Sequence, residues 1–301
     1  MSTENALPLQ VSLAHVRYYR HRLPIRISHW INVVCLTILL LSGLGIFNAH
    51  PALYWGASSY SARPALLEIS AKTVPARADG QAAGSVATSI GDRRGILRIG
   101  AVEFDTTGVL GVSTSAGGGH NERAFPAWLT IPGSYSLAAS RLWHFFFAWL
   151  FVLNGIFYVA YTLLSGHLRR DLLPDGQDMR GIGASIVDHL RFEHPQGEAA
   201  RRYNVLQKLA YLIVIFILLP LIILMGMAMS PMLDSLMTGW VDLFGGRQSA
   251  RTIHFIVAFL LVAFVLIHVF EVIVSGLWNH VRSMITGYYA IQPDPEKRGS
   301  T

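Results

Sequence analysis

The chain has 301 residues, 52% of them hydrophobic and only 14% charged, with a formal net charge of +6 and a mean hydropathy of +0.42. These proportions exclude an ordinary soluble domain and place it in the integral-membrane class. The positive charge does not point to nucleic acid, because the basic residues flank apolar runs, where membrane topology accounts for them.

Met1 to Arg26 is polar and mixed, with no early apolar region before a small-residue cleavage site, so no signal peptide is expected and 1–26 reads as a cytoplasmic segment. Four runs then pass the length and hydropathy test for a spanning helix: about Ile27 to Phe47, Leu142 to Leu164, Val205 to Met229 and Arg251 to Gly276. Pro220 lies inside the third and predicts a kink there. The lone cysteine, Cys35, sits in the first run as a small apolar residue. One thiol allows no intrachain disulfide, no all-cysteine zinc site and no cysteine-held iron–sulfur cluster.

Between the first two runs lies an insertion of about ninety residues, 48–140, rich in Gly, Ser and Ala. Ile96 to Phe104 and Val109 to Val112 read as short strands within it, separated by a turn-like DTTG. It closes with FPAWLTIPG, an aromatic and proline stretch suited to the membrane interface. The insertion reads either as a loosely ordered loop or as a docking platform.

Arginines and lysines set the orientation. Arg17, Arg20, Arg22 and Arg26 precede the first run. Arg169, Arg170, Arg180, Arg191, Arg201 and Arg202 lie between the second and third, and Arg282, Lys297 and Arg298 follow the fourth. The predicted fold is an all-α membrane protein, a four-transmembrane-helix bundle over 27–276, with both termini and the tail 277–301 in the cytoplasm of a bacterial inner membrane. The long loop between the first and second helices is then extracytoplasmic.

Within this topology four histidines sort by depth. His254 and His268 are fourteen positions apart, on one face of the fourth helix and roughly 21 Å apart along its axis. His29 opens the first helix on the cytoplasmic side and His144 opens the second on the outer side. Matching depths pair His144 with His254 and His29 with His268. Two imidazoles per level, with no cysteine or carboxylate beside them, do not make a zinc site. They suit the axial positions of a haem, and the absence of CxxCH makes it a non-covalent b-type haem. For each histidine alone, a hydrogen bond between helices is the competing reading.

Arg26 and Arg141 each stand three residues before a candidate ligand, placed for haem propionates. Glu271, one turn past His268, reads equally as a proton carrier or as a wet interfacial carboxylate. His15, His21, His50, His120, His167, His189, His194 and His280 read as solvated or interfacial residues. Asn204 and Gln207 open the third helix on one face at the depth of His268. They are placed either to cap the helix or to hydrogen-bond a quinone carbonyl.

RxxHW (Arg26, His29, Trp30), the second-helix His144, YNxxQK (Tyr203 to Lys208) and the spaced pair His254 and His268 resemble the cytochrome b561/Ni–Fe hydrogenase b-type superfamily. The chain is similar in particular to the di-haem cytochrome b subunits of formate dehydrogenases and hydrogenases. The resemblance covers the four helices but not the long loop. It implies two haem b groups, each held by one histidine of the last helix, and a quinone site at Asn204 and His268 with Gln207 nearby, taking menaquinone or ubiquinone. It also implies a respiratory electron-transfer subunit working between the quinone pool and an extracytoplasmic partner. A molybdopterin oxidoreductase, a hydrogenase-type subunit and a c-type cytochrome all fit as partner, with no role for nucleic acid. Two alternatives remain: a haem-free anchor for an extracytoplasmic protein, and a stand-alone superoxide-oxidising cytochrome.

Overall fold

The computed structural model describes residues 16–59, 64–73, 93–114, 118–191, 204–236 and 239–291. In chain order the first elements are β1 (Val16–Tyr19), α1 (Leu23–Phe47), β2 (Ala52–Leu53), β3 (Leu67–Thr73), β4 (Arg93–Ile99), β5 (Val102–Asp105), β6 (Gly111–Thr114) and β7 (His120–Arg123). They are followed by α2 (Leu137–Leu164), α3 (Gly176–Arg180), α4 (Ile182–Leu190), α5 (Val205–Ile213), α6 (Leu219–Ala228), α7 (Pro231–Leu236), α8 (Arg247–Val274), α9 (Leu277–Thr286) and β8 (Tyr288–Ile291).

Four helical stretches are long and apolar enough to cross a membrane: Leu23–Phe47, Leu137–Leu164, Val205–Ala228 and Arg247–Val274. The molecule is therefore a mostly helical, multi-pass membrane protein of four spans. Phe146, Trp149 and Leu153 on α2 and Leu266 and Ile267 on α8 are each more than 60% exposed. In water such a surface would be costly; against acyl chains it is the required one.

The helices begin and end for local reasons. Pro24 sits in the first turn of α1, where a missing N–H costs nothing, so the helix starts at Leu23, ahead of the apolar run from Ile27. α5 and α6 are joined by a π-helical turn, Val214–Leu218. Pro220 follows it directly: its ring would crowd the carbonyl one turn back, and it has no N–H to offer that oxygen. Widening the turn relieves both, so the expected kink takes the form of a π-turn. α8 stops at a left-handed Gly276 (φ +106°), which turns the chain into α9, an element the sequence had read as tail.

The chain forms two compact units. The sheet-bearing unit takes in the insertion with the adjoining parts of α1, α2, α6 and α8. Its antiparallel sheet has the order β2-β3-β4-β5, and β6 and β7 form a separate antiparallel pair. ILRIGAVEF is a hairpin, β4 and β5 turning at Gly100 (φ +57°). Gly95 and Gly111 approach so closely that a Cβ on either would strike backbone atoms, which lets β6 lie against β3 and β4. A core of Leu44, Phe47, Leu53, Ile69, Ala124 and Phe125 joins these strands to the end of α1.

The same unit is latched to the start of α8. The Gly56 carbonyl accepts the N–H groups of Gln248 (3.0 Å) and Ser249 (3.1 Å), and the Gly56 N–H donates to Ser249 Oγ at 2.8 Å. Thr252 Oγ1 donates to the Tyr54 carbonyl at 2.7 Å, and Arg251 donates to the carbonyls of Ala52 and His50. These bonds satisfy the first-turn donors of a membrane helix while fixing the insertion to it. Asn32 and Asn154 pair between α1 and α2 at 2.8 Å, which satisfies two amides at membrane depth.

The other unit holds both ends of the described chain. β1 pairs antiparallel with β8, Val16 opposite Ile291 and Tyr19 opposite Tyr288. Asn279 of α9 bonds the backbone of Ala290 in both directions (2.8 and 3.0 Å), docking that helix on the ribbon. The reading of His21 and His167 as solvated or interfacial is corrected: they are 8% and 6% exposed. The N–H of His21 donates to the Gly287 carbonyl at 3.2 Å, a contact between distant segments that no local pattern announces. His15, His194, Arg201, Arg202, Tyr203, Lys297 and Arg298 lie outside the described residues, as does the side chain of His189.

Burial, then Arg20 and the imidazoles of His280, His29 and His167, push His21 down from 6.5 to about 3. An unfolded chain would protonate this ring near pH 6.5 and the folded one resists, so stability is full above about 6.5 and is lost as pH falls toward about 3. Thermal melts of the detergent-solubilised protein should show Tm falling across that window, with a shallower slope in His21→Phe. Equal slopes in both proteins would contradict it.

Candidate haem sites

In the sheet-bearing unit α2 and α8 bring His144 and His254 face to face, ring centroids 6.3 Å apart and planes at 60°. In the other unit α1 and α8 do the same for His29 and His268, at 6.4 Å and 61°. A metal–imidazole bond of ~2.0 Å on each side, plus the ~1 Å from each nitrogen to its ring centre, spans that distance across one iron. Edge-to-face packing of two rings spans about 4.5–7 Å as well, so the distance accommodates an iron and does not by itself require one. Among the described residues no group of three or more His, Cys, Asp or Glu gathers as a metal cage.

His144 and His254 are oriented from behind. His254 Nδ1 lies 2.8 Å from the Ile222 carbonyl of α6, so Nδ1–H donates there and Nε2 is left as the ligating atom. A Cβ on Gly226, one turn after Ile222, would stand 3.4 Å from His254 Cε1. The missing side chain is what lets the ring reach the carbonyl. The arrangement recurs at His144. Its Nδ1 lies 3.1 Å from Ser42 Oγ, whose own hydrogen is directed to the Ile38 carbonyl at 2.6 Å, so the hydroxyl oxygen accepts. A Cβ on Gly43 would come within 3.3 Å of His144 Cε1. Ser42, Gly43 and Gly226 were invisible as site residues in the sequence; a glycine on each neighbouring helix at histidine depth was the available signal.

Removing the Ser42 acceptor should leave haem bound yet make the imidazole a weaker electron donor to iron. In Ser42→Ala we expect one reduction potential to rise by tens of millivolts while any other haem is unchanged, measured by redox titration of the visible bands. An unchanged titration would show that the contact does not reach the metal.

At the other pair, Phe264 stacks on His268 one turn along α8, centroids 5.9 Å apart. Arg26, one turn before His29, is half-buried, and its Nε is shielded from water with no hydrogen-bond partner among the described residues. An anion such as a propionate would satisfy it. Arg141 instead is exposed, its guanidinium 5.6 Å from the Phe145 ring.

Asn204 is the N-cap of α5. Its side chain accepts the Leu206 N–H at 3.1 Å and the Ser185 hydroxyl at 2.7 Å, while Gln207 Oε1 accepts the Asn204 N–H at 3.3 Å. The capping box uses the side-chain oxygens and leaves the amide NH2 groups as the donors these residues can present. No hydrogen bond joins either residue to His268 among the described residues. Lys208, next in the same motif, is buried against Asp178 at 2.6 Å. Both pairs admit an axially ligated haem by spacing, and at His144 and His254 the hydrogen bonds to Nδ1 and the room left by Gly43 and Gly226 fit it as well.

A model of the prokaryotic cytochrome b561 family matches residues 20–287. A 148-residue stretch is 34% identical to a protein of Azospira oryzae named as the protein-methionine-sulfoxide reductase subunit YedZ1, covering 48% of this chain and 69% of that one. No solved structure matches the chain.

Proposed function

The chain belongs to the prokaryotic cytochrome b561 family and is thus a membrane b-type cytochrome, binding haem b and transferring electrons; we propose that it holds two haems and passes electrons from quinol to an extracytoplasmic reductase. The observation behind this reading is the two imidazole couples at 6.3 and 6.4 Å, each with one member on α8. Each haem, when bound, supplies a one-electron iron couple.

The residues divide the work by position. His144 and His254 hold the outer group, and Ser42 and the Ile222 carbonyl aim them. His29 and His268 hold the inner one, with Arg26 for a propionate. Asn204 and Gln207, with His268, receive the quinol at the cytoplasmic side, to which the flanking arginines assign both termini. The sheet, latched to the first turn of α8, is the platform beside His254. The Azospira relative is named as a reductase subunit, so a protein-methionine-sulfoxide reductase is the first partner to test.

Purified protein should carry two haem b per chain by haemochrome assay, be reduced by a quinol analogue and be reoxidised by the partner with its oxidised substrate. One haem per chain, or no reduction by quinol, would overturn the reading. A colourless preparation would favour a haem-free anchor.

A further inference from the structure

The insertion carries large apolar side chains in the open. Trp128 is 74% exposed, and Ile99, Val102 and Phe104 are 48%, 55% and 49% exposed. Single exposed apolar residues are ordinary on any surface; three that adjoin on one hairpin are not. Their places in the fold indicate what they meet.

Two contacts bracket the depth of Trp128, which lies in the short 3-10 turn Ala127–Leu129. Before it, the Phe125 N–H donates to Asn48 Oδ1 at 2.7 Å and Asn48 Nδ2 donates to the Phe125 carbonyl at 3.1 Å, which holds Phe125 level with the residue just past α1. After it, the Ile131 N–H donates to the Leu41 carbonyl at 3.2 Å, inside α1. At a rise of ~1.5 Å per residue, the chain descends ~10 Å along α1 between those contacts. The Ile131 carbonyl accepts the Ser140 hydroxyl at 3.0 Å, so this irregular backbone is satisfied by protein, as it must be at membrane depth. Trp128 thus sits beside the final turns of a spanning helix, the level at which tryptophan is favoured between headgroups and acyl chains.

The sheet has two unlike faces. Cross-strand partners share a face, so Ile69, Leu97 and Phe104 form one row and Leu67, Ile99 and Val102 the next. Ile69, Leu67 and Leu97 pack with Leu44 and Phe47 of α1, which turns this face toward the end of the span. Phe104, Ile99 and Val102 continue it outward, beyond that cover. The opposite face carries the ion pairs Glu68–Arg98, Lys72–Glu103 and Arg94–Asp105 and suits water. Left in water, an apolar row on an edge strand invites aggregation. Here it is continuous with a face already seated on a membrane helix. We propose that the β4–β5 hairpin and the turn at Trp128 form a monotopic foot, with Ile99, Val102, Phe104 and Trp128 set among the phospholipid headgroups of the leaflet on the insertion's side. The foot fixes the height of the sheet on the bilayer, while the bonds of Gly56 fix the insertion to α8.

The test places a nitroxide on single cysteines in a Cys35→Ala background, using the holoprotein in nanodiscs of phosphatidylethanolamine and phosphatidylglycerol. Haem content equal to that of the unlabelled protein shows that each variant is folded. In power-saturation electron paramagnetic resonance, labels on Val102→Cys, Phe104→Cys and Trp128→Cys should be relaxed more by oxygen, which concentrates in the bilayer, than by a water-soluble nickel chelate. The label on Glu103→Cys, on the charged face, should show the reverse. If Phe104→Cys does not assemble, Val102→Cys against Glu103→Cys decides the matter. Relaxation dominated by nickel at 102 and 104 would overturn the foot and leave that face to a protein partner, even with oxygen dominant at 128. Labels shielded from both reagents would overturn it as well, in favour of a second copy of the chain.

Discussion

Replacement of His268 by alanine should lower the haem content from two per chain to one and abolish reduction by quinol. The remaining haem, between His144 and His254, should still be reduced by dithionite. His268 faces His29 at 6.4 Å, and an imidazole without its partner leaves iron one axial nitrogen short. Alanine is the best helix former, so α8 itself loses nothing at that position. His254→Ala makes the reciprocal case: the outer haem goes and quinol still reduces the inner one. Haemochrome assay and visible spectroscopy on both variants decide it. Retention of both haems in His268→Ala would refute the pairing.

The second large effect is expected at a residue with no side chain. Gly226→Val should empty the outer site, while Gly226→Ala should keep it with an altered spectrum. An alanine Cβ meets His254 Cε1 at 3.4 Å, the near limit of ordinary contact, and Nδ1 at 3.7 Å. Valine adds two methyl groups beyond that point, so the ring must retreat from the Ile222 carbonyl and lose the bond that aims Nε2. Gly43→Val should act likewise on His144, where the space is tighter at 3.3 Å. Both variants should keep the haem of His29 and His268. A Gly226→Val protein with two normal haems would show that the close approach is incidental.

How much of this was readable beforehand follows from the range of the forces involved. The four spans are local matters: a run of apolar side chains and the hydrogen bonds within one helix decide them, and Val205–Ala228 was found to within one residue. The histidine pairs were also accessible, because helix rise and the distribution of arginines convert position along the chain into depth, and rings at equal depth on a buried face have few partners. Strand pairing in the insertion was half visible: ILRIGAVEF was seen as strand, but its turn at Gly100 depends on a left-handed φ that composition does not show.

The sequence by itself thus determined a membrane-spanning helical cytochrome and offered four histidines, in two pairs, as candidate haem ligands. Tertiary structure alone decided what surrounds them. Ser42, Gly43, Gly226 and the Ile222 carbonyl become part of a site only when particular helix faces meet. His21 is buried where its N–H meets the Gly287 carbonyl, a contact between two ends of the described chain that the pairing of β1 with β8 brings together. Depth is a one-dimensional property that a sequence carries; lateral contact between distant segments is settled by packing, and there the linear pattern is silent.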